Sequence, residues 1–515
     1  MLHTDVSAGN VSGTWTAARS PYHVLGDITI PDDSTLTIEP GVDFVFMGCH
    51  KLHVQGRLLA VGTQQDSIRF TTEETQTGWH GIRFADTPNT NDTSKFIYCS
   101  FTHGKAMSGT GDDRCGGAMF IRGFSKIIVS QSLFDANSNE GGIASTGGAV
   151  IYIDHASPII TRSTFSRNTG TTDCGIMASY SDALIAQNVF SRNNGSHGPV
   201  VCAYGSPTIA GNFISGNAAT RAGVGIFTMT TTATIANNII FHNECIGEEG
   251  EGGGIRSWGG DRALIINNTI GLNRADFWGG LCCSQDADPT MVNTVLWGNT
   301  ATYGYQIGLL EPASDPAFIS CVIEGGRDGF GGAGSGTAYN GRYERNMDIE
   351  PAFVDAPSGD YRLSDISPCI CAGMDSIQQG AVWYTAPSED FYGGLRPNPA
   401  GSHTDIGACE SPRSAPVTAV HHRMNRTPPQ CELLHNYPNP FNPTTNVQFS
   451  LSARQWTTLN VYDVLGCVVA TLVDEVMDPG SHTVRWNAGG VPSGVYICRL
   501  QAGSFVDTKK LVLVR

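Results

Sequence analysis

One pattern is written seven times between residues 116 and 300, and it leaves few folds open. The copies read IIVSQSLFDAN, PIITRSTFSRN, ALIAQNVFSRN, PTIAGNFISGN, ATIANNIIFHN, ALIINNTIGLN and PTMVNTVLWGN. Each sets an apolar anchor at Phe134, Phe165, Phe190, Ile214, Ile240, Ile270 and Leu296. Three residues on, each has asparagine: Asn137, Asn168, Asn193, Asn217, Asn243, Asn273 and Asn299. The anchors recur every 24 to 31 residues, the period of a repeat architecture. Within residues 147–169 the apolar runs are AVIYI, PIIT and STF. They are too short for helices, and their alternation and β-branched content indicate strands. Glycine pairs (Gly116–Gly117, Gly147–Gly148, Gly253–Gly254, Gly279–Gly280) mark turns that need positive φ. In the middle turn, Gln187–Asn188, Asn237–Asn238 and Asn267–Asn268 supply residues that tolerate the left-handed region. Three strands per turn, stacked in register, make a parallel β-helix. Equivalent asparagines then lie about 4.8 Å apart, close enough for their amides to form ladders. Leucine-rich repeats lack support because the LxxLxL spacing and a helical half are missing, and a propeller blade needs about 40 residues and a fourth strand.

Composition agrees with a turn-rich β protein: 62 glycines in 515 residues and only 15% charged side chains. That length calls for more than one domain, or for a repeat array with attachments. No apolar run approaches the ~20 residues of a membrane helix. The net charge is −16, and residues 432–515 hold six basic and six acidic side chains, so the imbalance sits in residues 1–431. An acidic surface argues against nucleic acid and anionic membranes as partners. The 15 cysteines form no CxxC pair and the histidines show no metal-ligand spacing. Cys202, Cys283 and Cys321 lie in repeat strands and read as small buried apolar groups. Cys369 with Cys371, or Cys467 with Cys498, are the candidates for disulfides.

Residues 1–105 carry short strands broken by Pro-Asp, Pro-Gly and Val-Gly, as expected of an N-terminal cap and the first coils. Residues 106–350 hold the central repeats, with the glycine-rich stretch 326–350 read as a loop insertion. Phe101 and Ile323 extend the traceable rungs to nine, and about three more upstream give a body roughly 50–60 Å long. Residues 351–411 are expected to form the last coils and a distal cap, 412–431 a linker, and 432–515 a separate C-terminal domain.

TLTIEPGV, KLHVQGRLLAVGT and GWHGIRF resemble the N-terminal coils of bacterial secreted right-handed β-helix repeat proteins. YRLSDISPCICAG followed by DIGACE resembles the closing segment of that group, with Cys371 and Cys409 departing from its usual residues, a change consistent with an added disulfide. From NYPNPFNP to the C-terminus the chain is similar to the sorting domain of type IX secretion cargo. Its residues read as a β-sandwich with strands near 445–451, 457–463, 467–473, 481–486, 494–500 and 505–514. The expected fold is therefore all-β: a right-handed parallel β-helix of about 10–13 coils followed by a small immunoglobulin-like β-sandwich. The resemblance implies export by the type IX machinery, with residues 432–515 as the docking part and Lys509, Lys510, Leu511, Val512, Leu513, Val514 and Arg515 as the terminal signal. It also implies an extracellular or outer-surface location. MLHTDVSAGNVSGTW lacks the basic and apolar regions of a leader, so a leader is expected to be missing from this sequence.

Counting from the glycine that opens a unit, positions two and four point outward: Val150 and Tyr152, Phe227 and Met229, Arg256 and Trp258, with Asp154 six past Gly148. Tyr152, Phe227 and Trp258 then form a platform for sugar rings, and Arg256 and Asp154 hydrogen-bond hydroxyls or carboxylates. A slip of one residue turns the whole set inward. Catalysis needs more: two carboxylates about 5–9.5 Å apart for a glycosidase, or a base with Ca²⁺ for a lyase. Lys126 is the only lysine between residues 116 and 300. Asp112–Asp113–Arg114 and Asp182 are the nearest acidic candidates. Glu248, Glu249 and Glu251 are weak Ca²⁺ candidates, since glycine-flanked acidic loops are commonly just solvated; no other cofactor is indicated. No nucleophile elbow, P-loop or zinc signature is present. The favoured expectation is a solenoid that binds glycans or other surfaces without catalysis, the alternative a polysaccharide lyase or glycoside hydrolase working in a groove of the helix. A purely architectural role is the third reading.

Overall fold

The computed structural model describes residues 3–106, 111–139, 150–247, 250–303, 306–379 and 382–417, then 431–433, 436, 439, 441–464, 466–477 and 479–514. The chain divides into two units, Met1–Thr418 and Ala419–Arg515.

The first unit is a parallel β-solenoid. Three long sheets run along it, of 13, 12 and 13 strands, each strand pairing with its counterpart one turn away. The anchor sheet carries Phe134, Phe165 and Phe190 in register, the groove sheet carries Ile151–Asp154 and its equivalents, and the third sheet carries Ile159–Thr161 and its equivalents. Side chains alternate strictly, so Ile151, Ile153, Ile160 and Phe165 fill one continuous core. Phe70, Phe101, Phe134, Phe165 and Phe190 stack face to face, with ring centroids 4.9, 4.6, 4.7 and 4.7 Å apart.

Asparagine ladders run beside this core. Asn137, Asn168, Asn193, Asn217, Asn243, Asn273 and Asn299 are buried, and each Nδ2 before the last donates to the Oδ1 of the next at 2.8–3.1 Å. Gly104 N–H donates to Oδ1 of Asn137 at the first end, and Asn299 donates to Gln306 at the other. Asn188, Asn212, Asn238 and Asn268 form a second ladder in the turn between the third sheet and the anchor sheet. The residue before each second-ladder asparagine takes positive φ: Gln187, Gly211, Asn237 and Asn267.

The expectation of three strands per turn misses a fourth. After each anchor asparagine a short strand, such as Thr169–Gly170, Asn194–His197 or Ala218–Ala222, joins an eight-stranded sheet. This sheet forms a wall beside the groove sheet.

Two segments differ from expectation. Residues 326–350 are no loop insertion: Tyr343–Glu344 adds the last strand of the third sheet, and Phe330 and Tyr339 pack on Phe318 (5.2 and 6.3 Å) to close the core. Residues 351–411 add no coil among the described residues. They form antiparallel pairs, Phe353–Asp355 with Asp360–Leu363 and Ser376–Gln379 with Val382–Thr385. The segment straps the outside of the solenoid: Ile377 clusters with Ala236, Ile266, Val292 and Ile319, and Tyr361 and Cys409 with Ile239 and Phe241. The reason lies in the outward row of the third sheet, which changes from Ser130, Thr161, Ala186 and Ala210 to Ile266, Val292 and Ile319. Outward apolar side chains need cover. Asn237, Asn267 and Asn293 fasten the strap by donating to the carbonyls of Glu389 (2.6 Å), Asp405 (3.0 Å) and Met374 (2.8 Å).

All 15 cysteines are free thiols, so neither Cys369–Cys371 nor Cys467–Cys498 is bridged. Cys369 and Cys409 are buried in apolar clusters instead, and Cys371 donates to the carbonyl of Arg413 at 3.4 Å.

The second unit is a pair of antiparallel sheets. One pairs Glu432–Leu433, Thr444–Leu451 and Gly480–Asn487; the other pairs Val468–Met477, Gln455–Tyr462, Gly494–Ala502 and Phe505–Leu513. Phe449, Leu459, Trp486, Tyr496, Leu500 and Leu511 meet in its own core. In the terminal strand Leu511 and Leu513 face inward while Val514 is exposed, and Lys509 lies 3.5 Å from Asp507; Arg515 falls outside the described residues.

Candidate functional site

Outward side chains of the groove sheet form two rows. The first is Arg83, Phe120, Tyr152, Met177, Val201, Phe227, Arg256 and Cys282; the second is Arg122, Asp154, Ser179, Ala203, Met229, Trp258 and Ser284. Over the rungs from Tyr152 to Trp258 they floor a groove of about 440 Å³. Five rungs at one strand spacing each make it about 19 Å long, parallel to the solenoid axis. Tyr152, Phe227, Arg256 and Trp258, the residues expected from glycine counting, all line this one groove. Val150 does not: it is fully buried in the core, because it sits in the turn before the strand and outward alternation starts at Tyr152.

Arg256 spans the floor. Its guanidinium pairs with Glu251, reaches Ser284 Oγ at 3.3 Å and lies 5.7 Å over the Phe227 ring. Its Nε is buried with no acceptor among the described residues. Glu251 is thus committed to Arg256, and Glu248 and Glu249 lie outside the described residues. Burial pushes the Tyr152 hydroxyl up to about 12, with Cys115 and Asp154 adding to it, so the phenol stays protonated.

Asp154 points outward but does not line the groove. Its carboxylate accepts from Arg122 Nε (2.9 Å) and lies 2.7 Å from His155 Nδ1. Asp112 pairs with the same Arg122 at 2.5 Å, and Asp113 with Lys51 at 3.2 Å. These acids are bound to cations beyond the Tyr152 end. Asp182 accepts the backbone N–H of Ser206 at 2.7 Å in a turn. None of the four lines the groove.

Counting from the glycines overlooked both sides of the groove. On the wall, Asp173, His197, Ala222 and Glu251 pair in sequence from rung to rung. Half-buried His197 places Nδ1 3.0 Å from a carboxylate oxygen of buried Asp173, and its ring is 5.2 Å from Phe227. With Nδ1–H donating to Asp173, the Nε2 lone pair has no partner among the described residues. Arg221 lines the groove too, is exposed and has no charged partner among the described residues. On the other side His155, Tyr180 and Tyr204 stack at 4.6 and 4.8 Å along the turn, all with positive φ. Extending the alignment of the copies brings His155, Tyr180 and Tyr204 into one column, each ten residues before the next anchor, whereas Asp173 and His197 fall five past Asn168 and four past Asn193, one residue out of column.

Two family models match the chain. Residues 435–514 match the secretion system C-terminal sorting domain, and residues 85–260 match the periplasmic copper-binding protein NosD. No curated protein and no solved structure matches it. The first match agrees with the type IX sorting resemblance and implies handling by type IX secretion machinery. The second covers all the rungs that line the groove, and the two together point to a secreted or cell-surface β-helix protein. No helix among the described residues is long and apolar enough to cross a membrane.

Proposed function

We propose that this secreted or cell-surface solenoid binds a glycan chain lying lengthwise in the groove between Tyr152 and Trp258. One observation carries the reading: aromatic rings and a cation without a charged partner among the described residues share one elongated concavity, with Phe227, Trp258 and Tyr204 beside Arg221, and Arg256 held on the floor by Glu251. Aromatic rings complement the apolar faces of sugars, and fixed donors select hydroxyl or carboxylate oxygens. Arg221 brings an unpaired positive charge into a protein of net charge −16, which favours a glycan bearing carboxylates over a neutral one. In residues 85–260 no trio of His, Cys, Asp or Glu side chains converges among the described residues, so the groove reading does not draw on the copper named in the second family match.

Retardation of the full chain in gels containing plant, algal or bacterial polysaccharides tests this reading. W258A is expected to weaken retention by about tenfold, the equivalent of about 1.4 kcal/mol. R221A is expected to weaken it only for acidic glycans. Unchanged retention in both variants, or none in any gel, counts against the groove.

The His197–Asp173 pair favours a second reading, a lyase or hydrolase with His197 as proton acceptor. Reducing ends and unsaturated uronates are followed in the same incubations, with and without Ca²⁺. Product formed by the native chain and lost in H197A makes the groove catalytic; retention without product leaves it a binding site.

A further inference from the structure

We propose that His3, Asp5 and His23 form a binding site for a borderline divalent transition-metal ion such as Zn²⁺. The site lies at the first rung, on the anchor sheet rather than the groove sheet, and outside the segment that matches the copper-binding family. It is independent of the glycan reading.

The backbone brings the three together. Thr4–Val6 pairs in parallel with Tyr22–Val24, and the register sets Asp5 directly beside His23. Tyr22 and Val24 turn into the core, so His23 and Asp5 face out. His3, two residues before Asp5, falls on the same face. The His3 and His23 rings stack with centroids 4.1 Å apart and planes inclined by 13°. His3 Nε2 is 3.3 Å from an Asp5 carboxylate oxygen. One ligand atom from each of the three lies within 4.8 Å of the others. Metal–ligand bonds of about 2.0–2.2 Å require donors roughly 3–4 Å apart, so a small rotation of exposed His3 and Asp5 toward half-buried His23 closes the trio on one ion. His23 has no hydrogen-bond partner among the described residues, so no competing acceptor or donor has to be displaced.

Chemistry selects the metal class. Two imidazole nitrogens and one carboxylate suit Zn²⁺, Ni²⁺ or Cu²⁺, whereas Ca²⁺ and Mg²⁺ take oxygen ligands. Three protein ligands leave a position for water or a ligand from outside. An ion here also ties the outermost strand of the anchor sheet, paired on one edge only among the described residues, to the strand behind it.

Calorimetric titration of the untagged full chain with Zn²⁺ tests the site. Other histidines bind adventitiously, so the H3A/H23A and D5A variants are titrated beside it; all three side chains are on the surface, and an unchanged melting profile confirms folding. The expected result is one strong site in the native chain, no comparable heat with Ca²⁺, and affinity at least about tenfold weaker in either variant, a loss that even an outer-shell partner carries. Zinc is also expected to slow deuterium uptake in residues 4–24 of the native chain alone. No strong zinc site, or one kept at full affinity in either variant, overturns the proposal.

Discussion

Asn217 shows what a single ladder residue does. Its Nδ2 donates to Asn243 Oδ1 (2.9 Å) and to the carbonyl of Phe190 (3.0 Å), while its Oδ1 accepts from the backbone N–H and Nδ2 of Asn193. An alanine there strips partners from several buried groups at once. N217A is expected to lower the unfolding free energy by roughly 2–4 kcal/mol, whereas N194A, at an exposed position one rung earlier, shifts it by less than about 0.5 kcal/mol. Urea midpoints of the two variants measure the difference. Asp405 carries a different effect. It accepts N–H groups from Cys371 (2.7 Å) and Ser411 (2.6 Å), yet burial first and the Glu410 charge second push its carboxyl up to about 7. The folded state therefore keeps a proton that the unfolded chain releases near pH 4. Its stabilising contribution is full below about pH 4 and is lost as pH rises through about 7. Glu410, raised mainly by burial, acts with the same sign. D405N is expected to flatten this decline when native and variant chains are denatured at pH 4.5 and pH 7; equal slopes in the two would count against it.

At the level of elements, the repeat strands were legible and the strap was not. Phe165 and Asn168 announce a rung because burial and ladder bonding demand the same residue types at each turn. YRL and SIQQ carry a similar alternation, but a period of two records only that one face is covered, not by which neighbour. The fourth strand escaped because pieces such as Thr169–Gly170 are two residues long. Tyr152, Phe227, Arg256 and Trp258 were legible as groove-lining positions because they lie two or four residues past a glycine, though the same count also pointed to Val150, which is buried. His197 and Asp173 were not, because their partnership crosses 24 residues and their offsets from the anchor asparagine differ by one. The strap has a consequence for stability. Ending the chain at residue 350 uncovers Ile239, Phe241, Val292 and Ile319 together. Exposed patches of that kind favour association, so the truncated protein is expected to scatter light at concentrations where the chain through residue 417 stays clear.

On the scale of the whole molecule, the two units own separate cores, one reaching from Trp15 to Tyr339 and one from Leu433 to Leu513. Each is expected to fold by itself. A protein of residues 1–417 should keep the β-rich circular dichroism and the melting midpoint that the solenoid shows in the full chain; a fall of more than a few degrees would contradict this. The long asparagine ladder also gives the solenoid a direction. Each amide in it points its N–H toward the next higher rung, from Asn137 to Asn299 and on to Gln306. Seven side-chain dipoles thus add head to tail, as peptide units do in a helix, and neighbouring bonds polarise one another. The positive end meets a carboxylate: Gln306 Nε2 donates to Glu324 at 2.6 Å. The row behaves as one polarised wire with its own counter-charge, so cutting it in the middle leaves two shorter wires, only one of which still ends on an anion.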